Sequence, residues 1–223
     1  MNNHPIQNRF LFVKRFIPKN IKILVVSKNQ EVSHIKKLYE IGHRDFGENY
    51  VQEMIKKYKK LPKDIRWHMI GRIQSNKLKY IIPFVHLIHS VQKFKHIQII
   101  NKEALKQNRV INCLLQIKIC NEKNKSGTTY QKANHILEDE RYQKNMKNVK
   151  IIGLMGMASF QKKIQEIRYE FDYLKNIYND LNKNHKHFCI LSMGMSRDYP
   201  IAIEYGTTLI RLGTLIFGDR KNF

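Results

Sequence analysis

The chain has 223 residues, 42% of them hydrophobic and 26% charged, with three cysteines and a formal net charge of +23 at pH 7. That length suits one domain over residues 1–223 with a substantial core, and the balance is that of a soluble globular protein. The thiols Cys113, Cys120 and Cys189 form no C-x-x-C pair, which fits reduced cysteines in a cytoplasmic protein and excludes a disulfide framework. The positive charge invites a nucleic-acid or anionic-membrane reading. Lysine and isoleucine occur 30 times each, asparagine 20 times and alanine four times, and the three abundant types all have AT-rich codons. The lysines are also scattered, so genomic drift accounts for the charge. A nucleic-acid binder would be expected to add an aromatic-rich strand motif or zinc spacing, and neither is present.

In chain order, Met1 to Asn8 is polar and lacks a secretory signal. Arg9 to Ile17 (R-F-L-F-V-K-R-F-I) is basic and amphipathic; it reads as a first helix packed on the domain, with a membrane surface as the alternative. Strand-like runs then alternate with helical ones. Ile21–Ser27 is a strand and Glu31–Glu40 a helix, with Val32, Ile35 and Leu38 at helical spacing. Arg44–Gly47 leads into a helix over Tyr50–Lys60, and Arg66–Gly71 into a helix over Ser75–Ile82 that Pro83 ends. Val85–His89 precedes a helix over Val91–Lys106, and Asn112–Ile119 precedes one over Gln131–Glu140. Val149–Met155 is followed by a long helix, Gln161–Leu181. Phe188–Leu191 and Thr208–Leu212 are the last strands, around a short helix with Asp198 as N-cap and Gly206 as C-cap. The most apolar window, Tyr80–Ile88, is broken by Pro83 and His86 and is far shorter than the ~20 residues that span a bilayer.

Eight strands alternating with helices predict a parallel sheet, because parallel pairing needs crossover connections. Eight is the number that closes a (β/α)8 TIM barrel, here with an extra N-terminal helix. A doubly wound open sheet is the rival, but no G-x-G-x-x-G follows the first strand and no G-x-x-x-x-G-K-[ST] occurs.

In such a barrel the working residues lie at the C-terminal strand ends, and a phosphate is commonly held after strands seven and eight. There the chain offers Ser192, Gly194 and Ser196, then Gly213 and Thr214: small residues and hydroxyls that suit phosphate oxygens. Lys28 shares the alternating face of Leu24 and Val26, so it either projects into a partly dry mouth as a nucleophilic amine or is a solvated strand-end lysine. Arg211, a permanent cation in the apolar run T-L-I-R-L-G, needs an acceptor. Lysine, cation and phosphate cradle match the three handles of pyridoxal 5′-phosphate (PLP), whereas a structural salt bridge is the other reading of Arg211. An arginine facing the ring nitrogen can only donate and so weakens the ring as an electron sink. His68, after Trp67, reads as a satisfied core histidine, with a contact to a ring substituent as the alternative. The pairs His86/His89 and His185/His187 lack a third metal ligand, the methionines Met155, Met157, Met193 and Met195 read as gap-fillers, and Lys125 as solvated.

The runs V-V-S-K, F-G-E-N-Y-V-Q-E, W-H-M-I-G-R-I-Q-S-N-K, G-L-M-G-M and the long segment from L-S-M-G-M-S through R-L-G-T-L-I-F-G-D-R resemble the pyridoxal phosphate homeostasis protein family, in order from Ile21 to Arg220. The resemblance implies a barrel like the N-terminal domain of alanine racemase, with an internal aldimine at Lys28. It further implies that Ser192, Gly213 and Thr214 hold the phosphate, that Arg211 faces the pyridine nitrogen and that Asn49 approaches the ring. Asn29 stands where threonine is common after the lysine, Arg72 where histidine often follows I-G, and the N-terminal helix is abbreviated. These departures bear on affinity and rim contacts more than on the lysine.

Two function classes follow. A PLP-dependent racemase needs an acid/base group on each face of the cofactor. In alanine racemase-like enzymes the second group is a tyrosine from a further domain, which the short run from Arg211 to Phe223 is not expected to supply. The expectation is therefore a cytoplasmic, monomeric, non-catalytic PLP-binding protein that serves vitamin B6 homeostasis. Its partners would be PLP and recipient PLP-dependent apo-enzymes, with neither nucleic acid nor membrane.

Overall fold

In the computed structural model, residues 4–122, 125–160 and 163–218 are described. The apolar runs form β1 (Lys22–Val26), β2 (Asp45–Glu48), β3 (Arg66–Met69), β4 (Val85–Val91), β5 (Ile111–Ile117), β6 (Val149–Gly156), β7 (Ile190–Met195) and β8 (Leu209–Leu212). All neighbours pair in parallel, and β1 pairs with β8 to close the barrel. The rival open sheet is thereby excluded. Around it lie α1 (Pro5–Arg15), α2 (Val32–Glu40), α3 (Val51–Lys60), α4 (Phe94–Lys106), α5 (Tyr130–Glu138), α6 (Glu140–Asn145), α7 (Ile164–Asn184), α8 (Tyr199–Glu204) and α9 (Thr214–Phe217).

The extra N-terminal helix α1 docks on the barrel. A capping box between His4 and Gln7 starts it, and Ile6, Phe10 and Val13 are its buried stripe. Its polar side chains add anchors: Gln7 donates to the Lys37 carbonyl at 2.8 Å and Arg9 to the Ile216 carbonyl at 2.7 Å. No helix among the described residues is long and apolar enough to cross a membrane.

Four elements depart from the sequence pattern for identifiable reasons. Ser75–Tyr80 is a 3-10 helix rather than an α-helix, and Pro83, which has no N–H to donate to the Lys79 carbonyl, keeps it from extending. The helix expected over Gln131–Glu140 is split at Asp139, which is extended (φ −61°, ψ 120°) and caps α6 by accepting from the Arg141 N–H. Asp198 takes the expected N-cap position of α8, but its side chain makes no capping bond and accepts from the Met195 N–H at 2.5 Å. The seventh strand is not Phe188–Leu191 but continues through Ser192 and Gly194 to Met195. Gln161, expected to open the long helix, and Arg220 and Phe223 lie outside the described residues.

The β7 extension depends on Gly194. Its φ of +90° lies in the left-handed region, and the β7–β8 register shifts between Ser192 and Met195. A Cβ at this position would stand 2.6 Å from the Ala202 Cβ, so the missing side chain lets α8 seat on the strand. Gly194→Ala is therefore expected to lose roughly 3 kcal/mol from backbone strain plus overpacking, read as a lower denaturant midpoint with unchanged slope.

Candidate functional site

At the C-terminal mouth of the barrel lies a cavity of about 210 Å3, whose walls include Val26, Lys28, Asn49, Gln116, Met195 and Arg211. Lys28 reaches it from just past β1, half-buried. Asn49 reaches it from the end of β2, and its backbone passes so close to Gly71 that a Cβ there would sit 2.1 Å from the Asn49 carbonyl oxygen. Glycine is required at 71 for that approach.

Arg211 is buried in the middle of β8 and donates to Ser192 Oγ at 2.7 Å and to the Gly156 carbonyl at 2.9 Å. Burial pulls it down to about 10, opposed by the field of the Asp198 carboxylate, so it stays protonated at neutral pH. Its hydrogen-bond partners among the described residues are neutral. The alternative of a structural salt bridge for Arg211 is therefore not realised there.

Ser192 lies within β7, fully buried, with its hydroxyl accepting from Arg211, rather than in the loop beyond the strand. The hydroxyl at the loop is that of Ser196, whose Oγ accepts from the Gly213 N–H at 3.2 Å and the Leu215 N–H at 3.3 Å. Those two N–H groups and the Ser196 hydroxyl form a polar cradle, and Gly213 backs onto Val26 in the cavity wall. Thr214 is exposed and opens α9 beside it. Of the six residues singled out from the sequence, Lys28, Asn49 and Arg211 line the cavity, Gly213 backs onto Val26 in its wall with Thr214 next in the chain, and Ser192 is bonded to Arg211. Ser196 was visible as a hydroxyl in the loop, but only the bulge at Gly194 brings it into register with Gly213.

The other candidates have plain structural roles. His68 faces inward, bonded to His89 at 3.0 Å and Asp45 at 3.2 Å, and is a satisfied core histidine. Lys125, expected in solvent, is tied to the Ala158 carbonyl and lies 3.3 Å from Glu122. Met155, Met157 and Met195 fill the cavity wall. No group of three or more His, Cys, Asp or Glu among the described residues is placed to hold a metal ion.

Comparison with known proteins decides the family. The family model of the alanine racemase N-terminal domain matches residues 2–221. A pyridoxal phosphate homeostasis protein of Aquifex aeolicus is 37% identical over 202 residues, 90% of this chain and 87% of that protein. The chain belongs to the pyridoxal phosphate homeostasis protein family. PipY of Synechococcus elongatus, solved with PLP bound, superposes with a TM-score of 0.87 at 31% identity, covering 96% of this chain and 100% of PipY. An alanine racemase of Clostridium difficile has the same fold at a TM-score of 0.82 and 14% identity, the chain covering 57% of its length.

Below the mouth, this member of the homeostasis family carries a buried carboxylate directly before Asn49. Glu48 accepts from the Ser27 hydroxyl at 2.6 Å and the Lys57 amine at 2.8 Å through one oxygen, while its other oxygen has no protein partner. Burial pushes Glu48 up to about 7, although Lys57 and Ser27 pull the other way. A carboxyl raised in the folded state binds its proton more tightly there than in the unfolded chain. Its contribution is therefore fully present below the ordinary glutamate value of 4.5 and is lost as pH rises through about 7. Relative to Glu48→Gln, which does not titrate, the wild type is expected to lose on the order of 3 kcal/mol of unfolding free energy across that window. Denaturant unfolding of both proteins at stepped pH checks it; a pH-independent difference would refute the assignment.

Proposed function

We propose that the mouth cavity binds pyridoxal 5′-phosphate covalently at Lys28 and holds it for intracellular vitamin B6 homeostasis, without turning over amino acids. The observation that carries this reading is that an amine and a buried cation line one cavity with a hydroxyl and N–H cradle alongside. The name of the Aquifex relative and the PLP in PipY support it. Bound PLP supplies an aldehyde that an amine traps reversibly and a ring that can take up electrons.

The chain's own residues divide the work. Lys28 offers the amine, and Asn49 offers its amide to the ring from the neighbouring strand end. Gly213 and Thr214 hold the phosphate together with Ser196, which takes the place in the cradle first given to Ser192. Ser192 instead orients Arg211, together with the Gly156 carbonyl. Arg211, protonated and without a lone pair to accept with, would serve the pyridine nitrogen as a donor and so favour its unprotonated form. The ring is then a weak electron sink. The described lining residues include no histidine, tyrosine, aspartate, glutamate or cysteine, so Lys28 has no second proton-transfer group opposite it. Both features favour holding the cofactor over racemising a substrate. PLP-dependent apo-enzymes are the recipients in this reading, and the chain acts as a cytoplasmic monomer that engages neither nucleic acid nor membrane.

The purified protein with PLP should be yellow, and Lys28→Ala should lose that absorbance. Ser196→Ala should keep it while weakening PLP affinity about fivefold, roughly 1 kcal/mol for one hydrogen bond. Colour surviving in Lys28→Ala would remove the attachment. Exchange of the α-proton of added amino acids at enzymic rates would restore the racemase reading.

A further inference from the structure

Lys57 stands apart from the other lysines of α3. Its neighbours Lys56, Lys59 and Lys60 are exposed, whereas Lys57 is 4% exposed. A lysine ammonium has three protons and no acceptor capacity, and a buried one is tolerated only when paired. Each of the three protons here has an acceptor. Lys57 Nζ lies 2.6 Å from the Ser27 carbonyl, 2.8 Å from Glu48 Oε1 and 2.7 Å from Glu53 Oε1.

These acceptors surround Lys28 without including it. Ser27, the residue before, gives its carbonyl to Lys57 and its hydroxyl to Glu48 at 2.6 Å. Asn29, the residue after, donates its N–H to Glu53 at 2.6 Å. Asn29 also has φ 59°, a left-handed conformation that asparagine tolerates better than most residues but that needs support from its surroundings. Glu48, the third partner, directly precedes Asn49 in the cavity wall. One buried cation therefore ties the end of β1, the end of β2 and the first turn of α3 together, and holds in place two carboxylates that would otherwise repel each other.

We propose that Lys57 is the positioning residue for Lys28: through Ser27, Glu48 and Glu53 it fixes the backbone on both sides of the reactive lysine and so sets the direction in which that amine enters the cavity. Lys57 is not among the residues that line the cavity. This inference rests on the function proposed above. In that reaction the Lys28 nitrogen attacks the aldehyde carbon of PLP, a carbon–nitrogen double bond forms, and the carbonyl oxygen leaves as one water. A wandering amine slows that step, while the phosphate cradle on β7 and β8, built from other residues, is unaffected.

The test separates the two handles. The rate of adduct formation at saturating PLP is followed by stopped-flow absorbance. Affinity for 4′-deoxypyridoxine 5′-phosphate, which has the ring and the phosphate but no aldehyde, is measured by calorimetry. Lys57→Met is expected to slow adduct formation at least tenfold and to leave analogue affinity within twofold of the wild type. Glu53→Ala keeps the buried Lys57–Glu48 pair and removes one acceptor of Lys57 together with the partner of the Asn29 N–H. It is expected to fold and to slow adduct formation severalfold, which carries the test should Lys57→Met fail to fold. An unchanged rate in the variants, or rate and analogue affinity falling together, overturns the proposal. A wild-type chain that forms no adduct sinks the proposed function and this inference with it, a pattern distinct from wild-type adduct formation that the substitutions leave untouched.

Discussion

The pairing of β1 with β8 is the contact on which the site depends. It sets Leu24 opposite Arg211 and Val25 opposite Leu212, so that the residues just beyond both strands, Lys28 and Gly213, emerge at one rim. Parallel pairing alone would not achieve this; only closure brings the first strand to the last. The ladder is short, since β8 runs from Leu209 to Leu212, but it is buried throughout, α8 packs on β8, and α1 packs on α9 beyond it. Arg9 on α1 reaches the Ile216 carbonyl, so the N-terminal helix braces the same seam from outside.

Closure creates a polar problem, because inward-facing positions at the mouth include a guanidinium. The barrel answers it with neutral acceptors, the Ser192 hydroxyl and the Gly156 carbonyl, rather than with a carboxylate in contact. A buried ion pair would neutralise the guanidinium in place, whereas dipoles leave its positive field directed into the cavity. The opposite arrangement lies outside the strands, where Lys57 is surrounded by Glu48 and Glu53 and its charge is consumed locally. One cation is kept available to the cavity and the other is closed off to hold the frame.

Much of this was legible in the sequence. The alternation of Leu24, Val26 and Lys28 gives the lysine its face, and an arginine within T-L-I-R-L-G has few explanations other than a polar interior. The strand and helix order reveals the barrel because each apolar run is short and each is followed by a segment with helical spacing. Ser192 and Ser196 were harder to separate. Four residues apart, they would share a face on a straight strand, and the left-handed Gly194 between them lets Ser192 meet Arg211 while Ser196 meets Gly213. Lys57 was hidden in the run K-K-Y-K-K, where four lysines look alike until the seat of α3 on the barrel decides which one is buried.

The account is tested most directly by reducing the PLP-loaded protein with borohydride and mapping the labelled peptide by mass spectrometry. The chain has 30 lysines, so the position of the label is informative. One labelled peptide, containing Lys28 and displaced by prior incubation with excess inorganic phosphate, is the predicted result. Label spread over surface lysines, or placed on any single lysine other than Lys28, would contradict it.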